Sequence, residues 1–245
     1  MTHMNKTIHP SIRLLGEDSI LVEFEAEVSW EVNGKVRRLH RTLEEMVIDG
    51  YRMALPSYRS LLVYYDPWEI GDDNMLSKVK SALHKSEMQD EPEARLFRLP
   101  TVYGGKYGPD VDRVAELSGI TKDLVIELSS NLKLPIYFLG YICSQAYMGG
   151  IPIELQAPRH QIPRPLVSGG SFGFGGPQAN ILAVDSPSGL NYVGRTFVKV
   201  FNPHRFPPTV FSPGDFVQCY EVDEKTAIEA GKRPMEDFIE PLCNR

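Results

Sequence analysis

Two periods alternate along the first 85 residues. Residues 12–24, IRLLGEDSILVEF, read as a short strand, a turn at Gly16-Glu17-Asp18, and a second strand alternating through Ile20, Val22 and Phe24. From Ser29 the spacing changes: Trp30, Val32, Val36, Leu39, Leu43, Met46 and Val47 recur at three- and four-residue steps, the period of an amphipathic helix. Ser29 suits its N-cap and Gly50 its stop, although Gly34 inside it costs up to about 1 kcal/mol. Next, YRMALPSYRSLLVYYDP predicts two strands broken at Pro56-Ser57, the second (Ser60 to Tyr65) apolar enough for a central position. A helix follows from about Asp72 to His84, with Leu76, Val79 and Leu83 on one face. Strand, strand, helix given twice suffices for an α+β sandwich with its helices on one face of a sheet.

The polar, acidic segment Lys85 to Phe97, KSEMQDEPEARLF, reads as a linker, which divides the chain into residues 1–90 and 91–245. Beyond it come a strand over Leu96 to Val102, a glycine-rich loop YGGKYGPD, a short helix Val111 to Leu117 and a helix Lys122 to Ser130 capped by Thr121. After Pro135 the pattern is of short strands, at 136–142, 171–174, 180–184, 192–194, 197–201 and 215–221, with prolines between them, which predicts a barrel or sandwich. A last short helix is expected near Glu224 to Ala230.

Composition narrows the partners. The 26 Lys and Arg against 32 Asp and Glu give a net charge of −6, which argues against nucleic acid or an anionic membrane as the main partner. No apolar run approaches the roughly 20 residues that span a bilayer, and the N-terminus lacks the apolar core of a secretory signal, so the expected location is the cytoplasm. Cys143, Cys219 and Cys243 have no metal-ligand spacing and read as reduced thiols. The six histidines show no HxH or HExxH spacing, so no metal site is expected.

The stretch from Pro158 to Thr196 stands apart. It holds two Pro-Arg pairs (Pro158-Arg159 and Pro163-Arg164), a glycine-rich run from Gly169 to Gly176, the polar residues Gln178 and Asn180, and a Ser-Pro-x-Gly turn at Ser186 to Gly189. Glycines at this density let the backbone approach a partner closely, as in the wall of a cleft; they equally suit tight turns at barrel corners.

Several phrases together resemble the family that comprises the B-type subunit of 5-oxoprolinase, allophanate hydrolase subunit 1 and the kinase inhibitor KipI. They are GEDSILVEF at 16–24, SYRSLLVYYDP at 57–67, PTVYGGKYGPDVDRVAELSGIT at 100–121, YFLGYICSQAYMGGIP at 137–152, the two Pro-Arg pairs, SGGSFGFGGPQ at 168–178, SPSGLNYVGRT at 186–196 and FSPGDFV at 211–217. They run in order from about residue 12 to 221. The resemblance implies a small α+β N-terminal domain followed by a cyclophilin-like β-barrel domain. It also implies pairing with a related A/C-type carboxyltransferase-domain subunit to form one shared cleft for a small amide or lactam. No cofactor is expected on this chain: it has no GxxxxGK[ST] loop, so ATP is expected to be used through the partner. The alternative is a regulator of the KipI type that binds a sensor histidine kinase; prolyl isomerisation rests on fold analogy alone.

Carried onto this sequence, the resemblance marks Arg159 and Arg164 as forks for a carboxylate or phosphate, or as pins for loops. Ser171, Gly173, Gly176 and Gln178 match a run whose backbone N–H groups would hold an oxyanion while Gln178 orients the substrate, or which merely forms a turn. Asp110 is a base or a helix cap; Arg195 reaches the cleft or ends a strand exposed. His160 is a candidate acid/base or a surface histidine, and Cys143 a nucleophile or an inert thiol. The chain departs from the family's pattern in three cleft segments: Cys143-Ser144-Gln145 replaces Pro-Gly-Phe, Ala179-Asn180-Ile181-Leu182-Ala183 replaces Thr-Gly-Ile-Tyr-Pro, and Ser186-Pro187-Ser188-Gly189-Leu190 replaces Ser-Pro-Gly-Gly-Trp. Arg159, Gln178 and His160 are thus the expected catalytic group. Arg164, Ser171, Gly173, Gly176, Asn180, Cys143, Gln145 and Arg195 are the expected substrate contacts, for a substrate that need not be 5-oxoproline.

Overall fold

The computed structural model describes residues 10–242, which fall into two compact units, one ending at Pro92 and the other beginning at Glu93. Cys243 lies outside the described residues.

In the first unit, β1 (Ser11–Leu14), β2 (Ser19–Glu23), β3 (Tyr51–Pro56) and β4 (Ser60–Tyr65) form an antiparallel sheet in the order β1-β2-β4-β3. The period-2 pattern points Ile20 and Val22 of β2, and Leu61, Val63 and Tyr65 of β4, into one core. Against it lie Val32, Val36, Leu39 and Leu43 of α1 (Trp30–Glu45) and Met75, Val79 and Ala82 of α2 (Asp72–Ser86). Burying an aliphatic side chain of this size contributes about 1.5–3 kcal/mol each, which holds two helices on one face of the sheet. Ser29 caps α1 as its sequence position suggests, its hydroxyl accepting from the Val32 N–H at 3.2 Å.

Two expectations shift here. The helix stops at Glu45, because Met46 turns extended, so the helical phase is lost and Val47 is fully exposed while Ile48 is buried. Gly34 has a reason to be in α1: a Cβ there would stand 2.6 Å from Oε1 of Glu91. Glu91 in turn meets Nη2 of Arg37 at 2.5 Å and Nη1 of Arg38 at 3.2 Å, so the glycine opens a seat for the ion pairs that fasten residues 89–91 to the helix.

The second unit contains a closed seven-stranded barrel. Its members are β5 (Arg95–Tyr103), β6 (Leu134–Gly140), β7 (Gln145–Met148), β9 (Ser171–Gly175), β10 (Gln178–Ile181), β12 (Asn191–Thr196) and β13 (Phe216–Glu221), reached in chain order past a ribbon strand β8 (Arg164–Val167) and its partner β11 (Ser186–Ser188). Around the barrel the order is β12-β9-β10-β7-β6-β13-β5, and β12 pairs with the second half of β5 to close it. Among the described strands, only β13 and β5 run parallel. A short β14 (Ile239–Pro241) pairs with the first half of β5. Helices α3 (Val111–Ser118), α4 (Lys122–Asn131) and α5 (Glu224–Ala230) lie outside the barrel strands, and the barrel is filled by Phe97, Leu99, Ile136, Met148, Phe172, Phe174, Val193 and their neighbours. The α+β unit followed by a barrel is the fold class the resemblance implies.

Strand placement differs from the sequence reading in particular places. The expected strand 197–201 is irregular, because β12 leaves the ladder at Thr196; Val198 and Val200 reach the core without strand pairing. The expected linker is shorter, since α2 continues to Ser86 and β5 begins at Arg95, whose guanidinium is fixed by Asp215 at 2.6 Å. Strand β7 follows a four-residue turn whose polar Cys143-Ser144 gave no strand signal, and β8, β11 and β14 are too short to show a period. Cys219 sits in the core, and burial pushes its thiol up to about 12, so it is inert at neutral pH. Among the described residues no helix is long and apolar enough to cross a membrane, and no cluster of His, Cys, Asp and Glu could hold a metal ion.

Candidate functional site

Strand alternation builds one wall of the site. In β7, Ala146 and Met148 enter the core while Gln145 and Tyr147 face outward; in β10, Ala179 and Ile181 enter while Gln178 and Asn180 face outward. These four outward residues and Arg159 line a cavity of about 400 Å³ on the outer surface of the barrel, within the size range of small-molecule sites. The opposite wall comes from residues 187–190, joined to the Arg159 segment by the His160 N–H, which donates to the Gly189 carbonyl at 2.8 Å.

Gly175 at the end of β9 sets how closely this wall approaches. A Cβ on it would lie 2.2 Å from a methyl of Leu190 and 2.8 Å from Cγ of Arg159. Arg159 crosses that bare backbone and donates from Nη2 to Oε1 of Gln178 at 2.6 Å. A guanidinium has donors only, so this bond fixes which end of the Gln178 amide is which and leaves Nε2 as its donor end. Gly175→Ala is therefore expected to displace Arg159 and cost about 1–3 kcal/mol of stability. Thermal unfolding of the variant checks the cost, and an unchanged melting temperature with unchanged ligand binding would contradict it.

Beneath this segment lies a buried carboxylate hub. Asp110, 2% exposed, accepts from Nη1 and Nη2 of Arg164 at 2.8 and 2.6 Å, and from the Tyr192 N–H at 2.7 Å. Nε2 of His160 stands 3.1 Å from it. Asp110 occupies the N-cap position of α3, yet its side chain makes no capping bond. It is spoken for by the arginine fork, which makes it an anchor rather than a free base. The same bonds take Arg164 out of the cavity wall, and the Asp110 carboxylate holds the guanidinium still more firmly in its charged form. His160 likewise faces the hub and not the cavity.

The glycine-rich run is a strand. Its backbone is paired on both sides, with β10 and with β12. At its ends the Gly170 N–H donates to Leu182 O at 2.7 Å and the Gly176 N–H to Ala157 O at 2.9 Å, so these amides are not free to cradle an oxyanion. Gly173 is small because a Cβ would lie 2.3 Å from the Asn191 carbonyl. Ser171, Arg195 and Arg164 line instead a second cavity of about 190 Å³, where Arg195 donates from Nε to Gly169 O at 3.0 Å. Cys143 is half-buried in the turn joining β6 to β7, with φ of +54°, and is not on the wall of the larger cavity. Of the residues expected to act together, the structure gathers Arg159, Gln178, Asn180 and Gln145, sets His160 behind them, and places Arg164 with Ser171 and Arg195 at the second cavity.

Asn191 escaped the sequence reading. Fully buried, it donates from Nδ2 to the carbonyl of Pro158 at 3.0 Å, and its Oδ1 accepts from Nε of Arg113 at 2.9 Å. It ties the Arg159 segment to the barrel, and nothing in its spacing distinguishes it from any other polar strand residue. Tyr192 beside it is buried, which pushes its phenol up to about 12, and it donates to the Ser188 hydroxyl at 2.7 Å.

Comparison with known proteins places this arrangement. The family model described as carboxyltransferase domain, subdomain C and D, matches residues 10–211. The chain belongs to that family. Among its relatives, the B-type subunit of 5-oxoprolinase from Bacillus subtilis (strain 168) is 30% identical over 229 residues, covering 89% of this chain and 95% of its own. Its namesake from Escherichia coli O157:H7 is 33% identical over 207 residues, covering 84% and 93%. Among solved structures, the crystallised protein TTHA0988 superposes with a TM-score of 0.73 at 27% identity over 87% of this chain; the match covers 40% of that longer chain. The cavity thus lies within the family's matched region, on a subunit-sized member of it.

Proposed function

We propose that this chain is the B-type subunit of a two-component, ATP-dependent amide- or lactam-processing enzyme, and that the cavity beside Arg159 is its share of the substrate site. The supporting observation is the Arg159–Gln178 pair: an exposed guanidinium on the cavity wall, oriented on a glutamine whose donor end it defines. Arg159 suits a substrate carboxylate, which a planar fork binds at two points. Gln178 suits the substrate carbonyl, donating to its oxygen as negative charge develops there when a nucleophile adds. Asp110, Arg164, His160 and Asn191 position the segment that carries Arg159 and do not touch substrate. The two 5-oxoprolinase relatives, which match this chain along most of their length, support the same reading. With no phosphate-binding loop in this sequence, ATP is used through the related A/C-type subunit.

The test is co-purification with an A/C-type partner, followed by ATP turnover with 5-oxoproline, urea and a panel of small amides. The expected result is a stable complex whose ATP hydrolysis rises with one or more of these substrates. No complex, or a complex indifferent to all of them, would overturn the reading.

A further inference from the structure

The second cavity gathers positive charge in an acidic chain. Lys106, Arg164 and Arg195 line its space of about 190 Å³, and among the described residues no Asp or Glu does. Two of these cations are paired from behind: Arg164 by Asp110, and Lys106 by Glu224, which stands 3.0 Å from Nζ and accepts from the Tyr107 hydroxyl at 2.6 Å. Arg195 has no carboxylate partner among the described residues. Its Nε donates to Gly169 O and its guanidinium lies 5.1 Å from the centre of the Phe197 ring, while neither terminal nitrogen is bonded to a described residue. A β-bulge aims it there. Val193 is in the barrel core, and a regular strand would turn Arg195, two positions on, the same way. The extra residue between Tyr192 and Gly194 instead sets Arg195 opposite Ser171, on the outer face of β9, whose Phe172 and Phe174 fill the core. Ser171 is itself 6% exposed and lines the cavity, and its hydroxyl makes no hydrogen bond to any described residue. A hydroxyl so placed is costly unless something in the cavity bonds it.

We propose that this cavity is an anion site for a phosphoryl group, as inorganic phosphate or as a small monoester, separate from the cavity beside Arg159. Arg195 supplies a planar fork of donors, Ser171 and Ser168 supply hydroxyls, and Lys106 and Arg164 supply the surrounding positive potential. A carboxylate is served by the fork alone; hydroxyls and cations on further sides suit an anion whose oxygens point in four directions. The space is smaller than most small-molecule sites and takes a tetrahedral oxyanion with at most a short substituent. The β8–β11 ribbon contributes one strand to each cavity: Leu166 and Val167 of β8 line this one, Pro187 and Ser188 of β11 the other. The site therefore holds whether or not the cavity beside Arg159 takes substrate.

The experiment is isothermal titration of the full chain, at constant ionic strength, with inorganic phosphate, methyl phosphate and acetate. Both phosphates are expected to bind about tenfold tighter than acetate or more, since a carboxylate leaves the hydroxyls unpaired. Tighter binding of inorganic phosphate assigns the site to the free anion, tighter binding of methyl phosphate to a phosphorylated ligand. Arg195→Met, whose apolar stem can still cover Phe197, is expected to weaken phosphate by about tenfold or more, and Ser171→Ala by about fivefold. Ser171→Ala, without ligand, is expected to melt no lower than the parent, because it removes a hydroxyl with no partner; its lost affinity is then not a loss of fold. Should Arg195→Met fail to fold, Ser171→Ala and the exposed change Lys106→Gln carry the test, each weakening phosphate several-fold. Acetate bound as tightly as phosphate overturns the proposal, as does no phosphate binding up to about 10 mM. So does phosphate affinity that survives Ser171→Ala and Arg195→Met, and so does its loss in Arg159→Ala alone, which would put the anion in the other cavity. Substrate-stimulated ATP turnover is a separate readout: if it appears while titration shows no phosphate bound, the enzyme reading stands and the anion site falls.

Discussion

Asp110→Ala is expected to destabilise the barrel unit by about 3 kcal/mol and to abolish binding in the cavity. The carboxylate is buried, and it neutralises Arg164 while accepting the Tyr192 N–H. Removing one partner of a buried pair costs about 3–5 kcal/mol, because the other charge is left without compensation. The low end applies here, since the Arg164 side chain is 35% exposed and water can take over part of its solvation. At roughly 2–4 °C per kcal/mol, the melting temperature should fall by about 6–12 °C. Asp110→Asn keeps an acceptor but not the charge and should fall between. The double variant with Arg164→Ala should lose less than the two single losses added together, because the second change removes the stranded cation. Binding fails for a geometric reason: His160 and Arg164, which follow Arg159 in the same segment, are both held by this carboxylate. A loss under 1 kcal/mol would mean that water reaches the hub and that it does not fix the segment.

What the sequence made legible, and what it did not, follows from the range of the forces involved. Alternation in β2 and β4 and the helical period of α1 are local consequences of burial, so the first unit's elements are readable from residue types. The barrel is less so: β8, β11 and β14 have three or four residues each, too few for a period, and their pairing is fixed by chain segments far away. The Pro-Arg pairs were visible as a pair. Their division of labour was not, because Arg164 is taken out of the cavity by Asp110, 54 positions earlier, and no local pattern signals that bond. The glycine-rich run was visible for a wrong physical reason. Its glycines serve close packing, Gly175 beneath Arg159 and Leu190 and Gly173 beneath Asn191, and its amides belong to strands and turns. The departures at Gln145 and Asn180 were readable as departures, and only the fold shows that both face one cavity, because residues 145 and 180 lie on paired strands with the same outward parity.

Arg159→Ala should lower kcat/KM of the assembled enzyme by about a hundredfold while leaving the melting temperature nearly unchanged. Arg159 is exposed, and its bond to Gln178 lies at the surface, so the folded chain loses little without it. A substrate carboxylate loses a charge-assisted contact of about 1.5–3 kcal/mol, and every 1.36 kcal/mol is tenfold in rate. A second loss is added, because Gln178 is then free to present either end of its amide and the carbonyl of the substrate meets a donor only part of the time. Arg159→Lys should recover little: an ammonium keeps the charge but cannot grip a carboxylate and Gln178 with one rigid plane. If the loss falls in KM with kcat intact, Arg159 only binds; if kcat falls as well, the orientation of Gln178 acts on the reacting carbonyl. Tyr147 supplies an optical check on the same wall. Burial raises its phenol and the charge of Arg159 pulls it back, so its titration should move further up in Arg159→Ala, and in Arg159→Lys as well, because a lysine loses its own charge at about pH 10.4. Unchanged kinetics together with that upward shift would place the guanidinium at the cavity but outside the reaction.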